Sequence, residues 1–86
     1  MDTERRQIRS FFARYLRSED FDDADDVFTS GRVNSLFAIQ LVLFVEKQFS
    51  LTVDSQDLDV RNFSSVDAVY NFVLRKGAVS TRQASV

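Results

Sequence analysis

Leu36-Phe37-Ala38-Ile39-Gln40-Leu41-Val42-Leu43-Phe44-Val45-Glu46-Lys47-Gln48-Phe49 is apolar almost all round, interrupted only by Gln40, Glu46, Lys47 and Gln48. Fourteen residues exceed a typical strand and fall short of a membrane span, so the stretch predicts a central helix with more than one buried face. Asn34 or Ser35 would supply its N-cap, a side-chain oxygen turned onto free backbone N–H groups. In so short a chain, part of this apolar surface is expected to stay exposed, which points to a partner surface.

Upstream, Ile8, Phe11, Phe12, Tyr15 and Leu16 repeat at the spacing of one helix face. They predict a first helix over about residues 3–17. Arg5, Arg6, Arg9, Arg14 and Arg17 fill its other faces and read as solubilising. Residues 18–34 have no helical period and hold Glu19, Asp20, Asp22, Asp23, Asp25 and Asp26. Charge repulsion and the low helix propensity of Asp make this a long loop. Phe21, Val27 and Phe28 should anchor it to the core, and Gly31 marks a turn. Most of its carboxylates read as a solvated surface, some of which would steer basic partners. They lack the spacing and distal Glu of a calcium loop.

Downstream, Leu51, Val53 and Leu58 flank a polar stretch, with a single helical turn expected at about 56–61. Ser64 with Asp67 three residues on resembles a capping box opening the last helix. Val66, Val69, Tyr70 and Val73 give that helix its stripe, and Gly77 reads as its stop. Residues 78–86 carry no stripe and read as a disordered tail, leaving 1–77 as one domain. The expected fold is all-α: a small four-helix bundle of three main helices and a short one.

The 86 residues include 0 Cys, 0 His, 0 Trp and 0 Pro. That excludes disulfides, Cys/His zinc sites, cysteine nucleophiles and ordinary histidine acid–base chemistry. A net charge of −2 argues against nucleic acid as a partner. No apolar stretch follows Met1–Arg6, so no secretory signal or membrane span is expected and the cytoplasm is the default. The expectation is a monomeric, free-standing module with no catalysis of its own. Ser35 itself admits two readings. It is a helix-cap residue, or it is a modification site whose exposed hydroxyl would hold a phosphate against the positive end of a helix.

Asn34-Ser35-Leu36 resembles the Asp-Ser-Leu motif of acyl carrier proteins. The register from Leu36 through Phe49, Leu51-Thr52-Val53, Ser65-Val66 and the lead-in Asp25-Asp26-Val27-Phe28 with Gly31 is similar to that family over roughly residues 5–76. The resemblance implies a right-handed bundle of acyl-carrier type and 4′-phosphopantetheine attached covalently to Ser35. It also implies a partner-binding surface of Asn34, Leu36, Phe37, Ile39, Gln40, Leu43, Glu46 and Lys47. Phe37 and Gln40 read as partner contacts, while Ile39 and Leu43 stand open between core and surface. The stretch Val33–Lys47 is similar to free-standing carriers of methoxymalonyl-type polyketide extender units. That implies as partners a phosphopantetheinyl transferase, an acyl-loading enzyme, dehydrogenases, a methyltransferase and a polyketide synthase acyltransferase. Asn34 stands where the family has Asp, and Lys47 where many members have acids. Two alternatives remain: a peptidyl carrier, and a helical interaction domain gripping a partner helix through Phe37 and Phe44.

Overall fold

The computed structural model describes the backbone of residues 2–84 and the side-chain surroundings of residues 3–77. Every regular element among them is helical: α1 (Asp2–Leu16), α2 (Ser35–Phe49), a 3₁₀ turn (Ser55–Asp57), α3 (Val60–Phe63) and α4 (Val66–Ala84). None of the helices is long and apolar enough to cross a membrane among the described residues.

The stripe of α1 lands as its spacing requires. Ile8 and Phe12 are fully buried, and Phe11, Tyr15 and Leu16 pack beside them. The helix ends where Arg17 turns left-handed (φ 57°), letting the Ser18 N–H donate to the Ala13 carbonyl at 3.2 Å. That bond satisfies a carbonyl which the helix leaves without a partner. The acidic loop then returns to the core, burying Phe21 and Val27. Its backbone is tied to the start of α4 at two points: Val27 N–H donates to the Ser64 carbonyl, and Asp67 N–H to the Asp23 carbonyl, both at 2.9 Å. Gly31 takes a φ of 77°, which glycine adopts without a side-chain clash, and turns the chain toward α2.

Two of the α1 arginines read as solubilising do something else. Arg5 donates to Asp23 at 2.9 Å and also to Asp67, so it joins α1, the loop and α4. Arg9 donates to Asp23 at 2.6 Å and to the Glu19 and Phe21 carbonyls at 3.0 and 2.8 Å. The guanidinium groups also lie over rings, Arg5 over Tyr70 at 4.5 Å and Arg9 over Phe21 at 4.2 Å. An apolar stripe reflects neighbours three and four residues apart, whereas these partners lie up to 62 residues away.

Which face of α2 turns inward is settled by Phe37, Leu41 and Val45, all fully buried. Phe37 is the centre of an aromatic cluster with Tyr15 (4.8 Å), Phe12 (5.2 Å), Phe11 (5.8 Å) and Phe28 (5.9 Å). Ser50 ends α2 in the left-handed region (φ 53°), and Leu51 follows into the core.

Three local expectations are corrected. The turn expected at 56–61 is two: the 3₁₀ turn, and α3 capped by Asp59, which accepts from the Arg61 N–H at 2.9 Å. The α4 cap is Ser65, not Ser64: Ser65 Oγ accepts from the Ala68 N–H at 3.0 Å. Asp67 faces Arg5, and the Ser64 carbonyl serves the loop. Gly77 does not stop α4, which continues to Ala84. Its φ is not in the left-handed region that a glycine stop uses. Of the expected tail, Ser85 and Val86 lie outside the described residues.

Candidate functional site

Ser35 is the first residue of α2 and is exposed. The helix starts there because Asn34, in extended conformation, turns its side-chain oxygen onto the N–H groups of Leu36 (3.0 Å) and Phe37 (3.4 Å). Of the two candidate caps, Asn34 therefore does the capping. Among the described residues the Ser35 hydroxyl has no hydrogen-bond partner, so it is not held as a cap. The first turn of α2 carries no acidic residue, and its cap is neutral. An anion on Ser35 would meet the positive end of the helix without a carboxylate from that turn opposing it.

Beside Ser35 runs a cleft of about 700 Å³. Ala38, Ile39, Val42 and Leu43 form its α2 wall, and Leu58, Asp59, Val60 and Phe63 the facing wall. Phe28, Asn34 and Ser35 complete the lining, which is overwhelmingly apolar. The facing wall is held by polar ties to α4. Lys76 reaches Asp54 at 3.1 Å and Asp57 at 2.9 Å, and Arg75 donates to Asn62 at 3.2 Å. Phe63 anchors it from below, 5.2 Å from Phe72. A hydrogen bond from the Lys76 ammonium, with one from the Asp54 N–H, holds the Asp57 carboxyl below its ordinary range. Asp59 is pulled down to about 2, chiefly by the Arg61 side chain and then by the Arg61 N–H.

The expected partner-binding residues divide. Leu36, Ile39 and Leu43 are 54%, 59% and 59% exposed, and Gln40 and Lys47 are exposed with them. Asn34 is exposed but occupied in capping. Phe37 is a correction: at 0% exposure it is the centre of the aromatic core and offers nothing to a partner. Glu46 is half-buried, its Oε2 accepting from the Val53 N–H at 2.9 Å, so it fastens the chain after α2. Of the rings assigned to a partner helix, Phe44 is stacked on Phe11 at 4.7 Å. Sequence reasoning missed Leu58 and Val60, exposed at 60% and 55% on the far lip of the cleft. Their signal was present as two large apolar residues in a polar stretch.

These residues suit a phosphodiester-linked arm. They offer an accessible hydroxyl, a helix end receptive to anions, and an apolar cleft alongside. No protein-family model matches the chain, and no curated protein matches it either.

Proposed function

We propose that this chain is an acyl carrier whose Ser35 bears 4′-phosphopantetheine. The observation that carries the reading is the exposed, uncapping Ser35 hydroxyl at the start of α2, bordering an apolar cleft of about 700 Å³. Attached there, the group would supply the thiol on which acyl units travel as thioesters, and the chain itself has 0 Cys. The protein's own part is threefold. Asn34 caps the first turn, which leaves the exposed Ser35 hydroxyl uncommitted. The helix end favours the phosphodiester. Leu36, Ile39, Gln40, Leu43 and Lys47 offer enzymes a face to approach. Within carriers, the resemblance over Val33–Lys47 supports a role with hydroxy- or methoxymalonyl-type extender units for polyketide assembly. In that role the chain is acted on by a transferase, a loading enzyme, dehydrogenases, a methyltransferase and an acyltransferase.

The test is intact-mass spectrometry after incubation with coenzyme A, magnesium and a promiscuous phosphopantetheinyl transferase. One phosphopantetheine adduct is expected, and Ser35→Ala should abolish it while the helical circular dichroism stays unchanged. Absence of the adduct on the folded wild-type chain rejects the proposal. It would leave the interaction-domain reading, which the exposed row Leu36, Ile39 and Leu43 supports.

A further inference from the structure

The solvent face of α2 carries a charge opposite to that of the molecule. Leu36, Gln40, Leu43 and Lys47 follow one another at steps of four, three and four, so they form one exposed stripe, with Ile39 beside it. Glu46 is the sole acid of α2, and its carboxylate is drawn aside onto the Val53 N–H. Lys47 at one end of the stripe, and Arg32 just before the helix, are exposed and have no ion-pair partner among the described residues. Arg5 and Arg9 on Asp23, Arg61 on Asp59, and Lys76 on Asp54 and Asp57 are neutralised within the fold, whereas Arg6, Arg14 and Arg17, in and just after α1, are also exposed without an ion pair among the described residues. The acids that remain exposed without cations among the described residues, Glu19, Asp20, Asp22, Asp25 and Asp26, sit in the α1–α2 loop.

We propose that the α2 face docks a partner protein whose contact patch is apolar and rimmed by carboxylates. It rests on the carrier reading only in taking that partner to be one that approaches Ser35. Leu36, Ile39 and Leu43 provide the apolar contact, and Arg32 and Lys47 bracket it with positive charge. An acidic rim gains from both cations, and a basic rim is repelled by both. The net charge of −2 favours basic partners in general, so local and global charge give opposite expectations.

Two synthetic amphipathic helical peptides decide between them, sharing one leucine face and differing only in Glu or Lys at its edges. Each is titrated into the full chain while backbone amide NMR shifts are followed. The Glu-edged peptide should perturb residues 36–47 and bind there about fivefold more tightly at low salt, the advantage shrinking as salt is added. The double variant Arg32→Glu with Lys47→Glu should reverse the preference, with its circular dichroism unchanged. Equal or tighter binding of the Lys-edged peptide to this face overturns the proposal. So does binding of the Glu-edged peptide elsewhere, or no binding by either. The mass adduct on Ser35 is scored separately, so a formed adduct with no charge preference rejects this proposal alone. A preference without an adduct rejects the carrier reading and leaves the face standing.

Discussion

Position 37 shows how much one ring can decide. Phe37 touches four aromatic side chains from α1 and the loop, and no solvent reaches it. Phe37→Ala should cost about 3–5 kcal/mol, the range for emptying a buried aromatic site. Urea denaturation measures it, and a loss below about 1 kcal/mol would mean the cluster closes over the gap. Ser50 gives a prediction of the opposite sign. It sits in the left-handed region at the end of α2, where a side chain is strained and glycine is not. Ser50→Gly should therefore raise stability by about 0.5–1 kcal/mol, seen as a higher denaturation midpoint with unchanged slope. At this scale the sequence was only partly legible. The Ser64-Ser65 pair offers two equivalent hydroxyls, and local pattern cannot choose between them. The choice is made by Asp23 and Arg5, which engage Asp67 from distant parts of the chain.

Among the elements, α1, α2 and α4 follow from their apolar spacing, as do the loop anchors Phe21 and Val27. The orientation of α2 does not follow, because a segment apolar on nearly every side has no dry face to be read from period alone. Phe37 was for that reason placed outside, and the rings of α1 and of the loop residue Phe28 draw it in. The long loop owes its position to Asp23. Burial raises the Asp23 carboxyl, but hydrogen bonds and charge from Arg5 and Arg9 outweigh it, and the net direction is down. Asp23→Ala removes the acceptor that both arginines share and should destabilise the chain by about 1–3 kcal/mol. Proteolysis provides the second readout: residues 18–26 should become the first site of cleavage, which a merely local effect on α1 would not produce.

For the molecule as a whole, the dependence of stability on pH in the acid range comes from carboxylates, since there are 0 His. Asp23, Asp26, Asp57 and Asp59 all titrate below their ordinary value of 3.8 in the folded chain, Asp59 at about 2. A group whose folded value is depressed stabilises the fold fully above its unfolded value and loses that contribution as pH falls through the folded one. The melting temperature should thus be flat from about pH 6 to 8 and fall progressively from about pH 4 to pH 2. Differential scanning calorimetry across this range checks it, and a decline beginning near neutrality would contradict it. The cleft is a property of this scale as well. Its α2 wall was readable as surplus apolar surface, whereas its far wall depends on Lys76 bridging to Asp54 and Asp57, contacts 19 to 22 positions apart that no local pattern reveals.

The placement of Tyr15 and Tyr70 has an optical consequence. With 0 Trp, these two phenols are the only strong near-ultraviolet chromophores in the chain. One lies against Phe37 at the α1–α2 seam, and the other lies beneath the Arg5 guanidinium where α1 meets α4. Unlabelled protein thus carries two native reporters on separate junctions. Replacing either tyrosine by phenylalanine leaves a single emitter, which watches the α1–α2 seam or the α1–α4 seam, one at a time.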